Sequence, residues 1–212
     1  SKVQWSVAGK NAATADLASA NAYASVDHNG VVTGKKIGNA TIVAVYQGQK
    51  IKRKIHIAGK KKIALDAGHQ SRGDSRKEPV GPGSSVRKAR VAGGATGVAS
   101  RVPEYKFTLS VAKRLQKELK KRGYEVYMVR TKNNVNISNK KRAMLANKSG
   151  ADIYIRIHGD SSGSRGVKGA SIFYPSARNP YVSRLSRSSK RLSKKLLNAY
   201  CKKTGIKKRG CS

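Results

Sequence analysis

Acidic side chains are what this 212-residue chain lacks most: ten Asp and Glu stand against 46 Lys and Arg, a formal net charge of +36. A charge so far above the roughly 2 to 8 units of an ordinary small domain repels itself and attracts polyanions with little selectivity. Nucleic acid, anionic membrane and anionic cell-wall polymer are the partners it admits. The scarcity is also useful, because every carboxylate that could serve chemistry can be named: Asp16, Asp27, Asp66, Asp74, Glu78, Glu104, Glu118, Glu125, Asp152 and Asp160. Long apolar runs are missing too. None approaches the roughly 20 residues of a membrane span, so no transmembrane segment is expected. Ser1 opens no charged-then-apolar leader, although one could have been removed. Only two cysteines occur, Cys201 and Cys211, without C-x-x-C spacing. A disulfide scaffold is thereby excluded, a cysteine zinc site is not expected, and the two read as free or incidentally paired thiols. Aromatic residues make up 6% of the chain. With no zinc-finger spacing or RNA-recognition motif beside them, and with basic residues spread over the whole length, specific nucleic-acid recognition is not expected.

What is present is 38% hydrophobic residues in periodic segments, enough to build a core. Length allows one large domain or a small one plus a medium one. Up to residue 59 the chain reads as β structure. Val3–Val7, Ala24–Val26, Val31–Thr33, Ala40–Tyr46 and Ile51–Ile57 are short β-branched runs, punctuated by turns at Asn29-Gly30, Gly34, Gly38-Asn39 and Gly48. A small antiparallel sandwich is expected. Gly59-Lys-Lys-Lys62 is a basic joint, and the period then changes. Ile63–Leu65 reads as a buried strand, 104–122 as a helix closed by Gly123, Tyr124–Arg130 as a strand, and 138–148 as a helix capped by Ser138. Asp152–Ile157 and Gly169–Tyr174 follow as strands. A basic amphipathic helix over 179–204 should turn Val182, Leu185, Leu192, Leu196 and Ala199 inward. Alternating strands and helices argue an α/β fold, a mostly parallel twisted sheet flanked by helices, preceded by the small sandwich. The division expected is 1–59 and 60–212. Between the first strand of the second part and its first helix lies 70–103, rich in Gly, Ser, Ala, Arg and Lys and too long for an ordinary connection; it reads as an active-site loop.

Chemistry in an open α/β sheet is expected just past the carboxyl ends of strands, and two of the four histidines fall there. His69 follows Ile63–Leu65 within Asp66-Ala-Gly-His69, and His158 closes Ile153–Ile157. Glu104 opens the helix that ends the long loop and can project to the same rim. Two imidazoles and a carboxylate around a cation would leave a fourth position for water, as hydrolytic zinc sites do. Each residue has a plainer alternative. A histidine at a strand end is commonly a hydrogen-bonded structural residue, and Glu104 could simply favour the positive end of its helix. Asp66 could orient a ligand imidazole or cap the turn after its strand. Arg156, two residues before His158 and so on the same strand face, could meet a substrate carboxylate or form an ordinary salt bridge. Arg142 reads as a brace for its own helix. His28 and His56, with no acid nearby, read as surface or packing residues.

The order Asp66-Ala-Gly-His69, Val102-Pro-Glu104-Tyr-Lys-Phe-Thr-Leu109, Val129-Arg130-Thr131, Arg142-Ala-Met-Leu-Ala-Asn147 and Ile155-Arg-Ile-His158 resembles the zinc-dependent N-acetylmuramoyl-L-alanine amidases of the family 3 type. The resemblance runs from about residue 61 to the C-terminus. It implies a peptidoglycan hydrolase that cleaves the amide between N-acetylmuramic acid and L-alanine of the stem peptide, with Zn2+ held at the positions of His69, Glu104 and His158. Peptidoglycan is the implied partner, with anionic wall polymers beside it, and the implied setting is secreted, at the cell wall, as a monomer. In the first part, Val3-Gln-Trp5-Ser, Ala24-Ser-Val26-Asp27-His28-Asn-Gly30-Val-Val-Thr-Gly34 and Gly38-Asn-Ala-Thr41-Ile-Val-Ala44 resemble the bacterial immunoglobulin-like group 2 domain, whose earlier strands are absent here, so the chain is read as starting in mid-domain.

One departure qualifies the match. The family has a second, proton-transferring glutamate on a strand near the end of the domain, and no acid occurs after Asp160. Because Gly205–Gly210 resembles the segment just before that strand, truncation before the strand is the expectation, with Asp160 as a weak substitute base and impaired turnover as the consequence. A catalytically silent wall-binding module is the first alternative, and a basic nucleic-acid-binding protein the second, since +36 gives a salt-dependent attraction to phosphate.

Overall fold

A computed structural model describes residues 2–8 and 23–212; Asp16 lies outside the described residues. By its contacts the chain divides into two compact units, 1–62 with 119–125, and 63–118 with 126–212.

In the first unit, β1 (Gln4–Ala8), β4 (Gly38–Tyr46) and β5 (Gln49–Ile57) form an antiparallel sheet in the order β1-β4-β5, while β2 (Ala24–Val26) and β3 (Val32–Gly34) form a separate antiparallel pair. Gln47 and Gly48 link β4 to β5, both with positive φ, which is the backbone twist a two-residue hairpin needs. Asp27 closes the other turn by accepting the backbone N–H groups of Asn29 and Val31. Val7, Ala24, Ala40 and Ile42 are the buried core, with Trp5, Tyr23, Val26, Ile55 and Ile57 packed against it. Lys50 to Lys54 of β5 are all exposed at the sheet edge, where charge discourages further strand pairing.

In the second unit the central strand is β6 (Lys62–Ala67), flanked by β10 (Ile153–Ile157) and β9 (Glu125–Met128). The β6–β10 pair is parallel, with Ile153 opposite Ile63 and Ile157 opposite Ala67. Ile63 to Ala67 are buried without interruption, the pattern of a strand covered on both faces. The covers are helices. On one side Ala67 packs with Leu109 and Ala112 of α1 (Glu104–Lys121); on the other Ala64 packs with Val129 and with Ala146 of α2 (Asn139–Lys148). Residues 64 and 67 have opposite parity, so one strand serves both layers. Ser138 caps α2 as expected, its hydroxyl accepting the Lys141 N–H, and the buried Glu78 carboxylate accepts the Lys140 N–H beside it. The helix and strand pattern thus folds as a mixed α/β unit.

Three expectations are corrected. Much of the long 70–103 segment is an antiparallel hairpin, β7 (Asp74–Pro79) with β8 (Arg87–Val91). Its strands are rich in charged residues, with only Glu78 and Val91 buried, so no alternation of apolar residues announces them. After β11 (Ala170–Ile172) comes α3 (Ser183–Thr204), and the strand expected beyond Ser212 already follows it, as β12 (Lys208–Cys211) parallel to β11. Finally, α3 buries Ser186, Ser193 and Leu197, while Leu185 and Leu196 are exposed. The buried face is turned by about one residue, or 100°, from the apolar stripe, and two serines share it with Leu197.

Candidate metal centre

His69 and His158 leave neighbouring parallel strands at the same end of the sheet. Gly68 continues the ladder, its N–H donating to the Ile157 carbonyl at 2.8 Å, and His69 then takes a positive φ of 59°. That left-handed turn swings its ring toward His158, and the two imidazoles meet edge to face with centroids 4.7 Å apart. Glu104, at the first position of α1, reaches both: its Oε1 lies 3.2 Å from His69 Nε2 and 3.0 Å from His158 Nδ1. One ligand atom from each of the three residues falls within 4.8 Å of the others.

Space for this cluster depends on two glycines. A Cβ on Gly68 would lie 2.5 Å from His158 Cε1, and one on Gly94, where φ is +85°, would lie 2.8 Å from His69 Cγ. The segment after β8 also supplies partners. The Ala92 carbonyl is 2.8 Å from His69 Nδ1, which fixes the proton there and leaves Nε2 facing Glu104. Ala95 donates its N–H to Glu104 Oε2, and Gly159 donates to Oε1. Burial alone would raise the Glu104 carboxyl, but these two N–H groups and the two histidines hold it below the ordinary carboxylate range. Burial, and then the charge of Arg156, push His158 below the ordinary imidazole value. The resting cluster is therefore one carboxylate and a neutral His158.

Beneath the turn lies a buried polar layer. Asp66 is fully buried, 2.5 Å from Arg142 Nη1, 3.5 Å from Arg156 Nε, and it accepts the Tyr154 hydroxyl at 2.7 Å. Burial and this carboxylate raise the Tyr154 phenol, so it stays protonated and donates. The Asp66 carboxylate is engaged by Arg142, Tyr154 and Arg156, and among the described residues it makes no hydrogen bond to an imidazole. Arg156 donates to Asn139 Oδ1 at the start of α2, so its position is explained by a protein partner rather than by a substrate carboxylate. Arg142 does more than brace its helix. Besides Ile137 O it holds the Ala67 and His69 carbonyls and Gln70 Oε1. Asp160, past His158, is largely exposed and paired with Arg209 at 3.1 Å.

Thr108, Arg130, Gly68 and Gly94 carry site roles that sequence reasoning did not assign. A glycine directly before a candidate ligand, as in Gly68-His69, is a signal that could have pointed to close approach.

The model of the N-acetylmuramoyl-L-alanine amidase family matches residues 63–212, more than two thirds of the chain. The chain belongs to that family. Among solved structures, the amidase Ami1 from Mycobacterium abscessus is 25% identical with a TM-score of 0.51, the match covering 62% of this chain and 64% of that one. An N-acetylmuramoyl-L-alanine amidase from Clostridium difficile 630 has 24% identity and a TM-score of 0.53, with 73% and 69% covered. Cwp6 from Clostridium difficile has 23% identity and a TM-score of 0.55, with 73% and 20% covered. These last two likenesses speak to the amidase fold. The chain thus spans 64% of the length of the first of these relatives. Among curated proteins none matches by sequence. No described helix is long and apolar enough to cross a membrane.

Proposed function

We propose that this amidase-family chain is a zinc-dependent peptidoglycan hydrolase, acting on the amide between N-acetylmuramic acid and L-alanine of the stem peptide. The observation that carries this reading is the convergence of His69, Glu104 and His158 from three separate elements onto one point. The donor set fits the ion. Two imidazole nitrogens and a carboxylate oxygen suit zinc, and three protein ligands leave a position open. When bound, zinc supplies a Lewis acid that polarises a carbonyl and lowers the pKa of a water toward 7.

The chain's own residues prepare that chemistry. The Ala92 carbonyl keeps the His69 proton on Nδ1, so Nε2 offers its lone pair without a tautomer change. Ala95 and Gly159 keep Glu104 ionised and pointed inward. Burial, and then the charge of Arg156, favour the neutral form of His158, the form that binds a metal. Proton transfer is less well provided for. The Asp160 carboxylate is exposed and engaged by Arg209. We therefore infer impaired turnover for these 212 residues. The engagement of Asp160 by Arg209 also favours a second reading, a wall-binding module that is catalytically silent.

The same reading takes 60–212 as the catalytic domain, on a mostly parallel twisted sheet, and 1–59 as a bacterial immunoglobulin-like group 2 β-sandwich. It places the protein outside the cell at the wall, as a monomer, where stem carboxylates and anionic polymers complement a charge of +36. Metal analysis combined with digestion of purified peptidoglycan tests it. Bound zinc with slow, zinc-dependent release of stem peptides is expected. A metal-free protein overturns the reading, rapid release overturns the impairment, and wall retention with zinc but no cleavage selects the silent module.

A further inference from the structure

Three consecutive carbonyls at the end of β6, those of Ala67, Gly68 and His69, lie where the sheet ladder stops and the chain turns into a left-handed residue. Buried carbonyls in such a place need donors. Here the donors are side chains from three different elements. Arg130, just after β9, gives Nε to Ala67 O at 2.8 Å and Nη2 to Gly68 O at 3.0 Å. Arg142 of α2 gives Nη1 to Ala67 O and Nη2 to His69 O, both at 2.9 Å. Thr108 of α1 gives its hydroxyl to Gly68 O at 2.8 Å. Five side-chain hydrogen bonds thus fall on one tripeptide. Arg130, Arg142 and Thr108 are all buried.

The three donors are also tied to one another and to the other ligand's helix. Arg130 Nη2 reaches Thr108 Oγ1 at 3.2 Å and the Tyr105 carbonyl, one residue past Glu104, at 2.8 Å. Burial, and then the like charge of Arg142, draw the Arg130 guanidinium down to about 10, with Asp66 opposing, so it stays charged at neutral pH. A charged, planar guanidinium holds its carbonyls in a fixed relative geometry, which the rotatable ammonium of a lysine on its flexible stem does not.

From this geometry we propose that Thr108, Arg130 and Arg142 are positioning residues for metal binding: they lock the Ala67–His69 backbone so that the His69 imidazole stands at Glu104 and His158 before an ion arrives. The proposal rests on the zinc reading above. Without the clamp, His69 would be free to leave its left-handed conformation, which is strained for a non-glycine residue, and the ligand set would have to be assembled on binding.

The test measures zinc affinity by chelator competition, with the cobalt absorption spectrum as a second readout, in the full chain and in Thr108→Val, Arg142→Lys and Leu197→Ala. Leu197 is buried in α3 and makes none of these contacts, so its variant controls for general destabilisation. Thr108→Val and Arg142→Lys are expected to weaken zinc roughly 10- to 100-fold and to change the cobalt spectrum, while Leu197→Ala keeps the parent affinity below its melting range. Equal zinc affinity in Thr108→Val and the parent overturns the clamp. An equal loss in Leu197→Ala also overturns it, by reducing the effect to stability. A parent chain that binds no zinc instead defeats the underlying reading. Should Arg142→Lys fail to fold, Thr108→Val decides alone.

Discussion

His69 and His158 stand 4.7 Å apart and end neighbouring strands, yet the molecule treats them differently. The His69 side chain is 14% exposed, its Nδ1 is fixed on Ala92 O, its carbonyl is held by Arg142, and the preceding Gly68 carbonyl by Arg130 and Thr108. The His158 side chain is 40% exposed. It is oriented by β10 pairing and by Glu104, and the charge of Arg156 acts on its protonation instead of on its backbone. One imidazole is preset and the other is left room to adjust. Glu104 joins the two sides, bonded to both rings and to the backbone of Ala95 and Gly159.

Substitutions can break this contrast or sharpen it. The largest effect is expected from Glu104→Ala, which removes the group shared by both histidines; zinc binding measured by competition should fall below detection. Asp66→Ala acts first on the His69 side, leaving Arg142 buried without its carboxylate, a loss of about 3–5 kcal/mol in stability by urea unfolding, and it also frees Tyr154 and Arg156 of β10. Gly68→Ala strikes the His158 side. The added Cβ displaces that ring, and zinc affinity should drop roughly 10- to 100-fold with far less loss of stability. Glu78→Ala is the mildest. It frees the Lys140 N–H at the start of α2 and should cost about 0.5–2 kcal/mol, detectable as a lower melting temperature with zinc affinity nearly unchanged. If Asp66→Ala and Gly68→Ala changed stability and affinity in the same ratio, the two sides would not differ.

The preset and adjustable sides were not equally legible in the sequence. His69, Glu104 and His158 could be nominated because strand ends and a helix start are written in local pattern: the unbroken apolar run before Asp66, the alternation before His158, the amphipathic stripe after Glu104. Ser138 could be read as a cap for the same reason. The clamp could not. Arg130 and Arg142 sit in stretches that look like ordinary basic surface in a chain with 46 basic residues, and only the fold reveals that both are buried on backbone carbonyls. The partners of Asp66, 76 and 88 residues away, could not be read either, because only the packing of α2 and β10 against β6 brings them to it. The hairpin Asp74–Val91 and the strand Lys208–Cys211 escaped for a related reason: strands made of charged residues and glycine carry no period of two. The face of α3 was misjudged because two serines, Ser186 and Ser193, share its buried side with Leu197 while Leu185 and Leu196 are exposed.

The central claim is that one ion is held by His69, Glu104 and His158 together. Equilibrating the purified chain and its Glu104→Ala variant with trace zinc, then counting bound metal by elemental analysis, addresses it most directly. A single zinc ion on the parent chain and none on Glu104→Ala is the predicted result; a parent chain that takes up no zinc, or a variant that keeps it, would contradict the account.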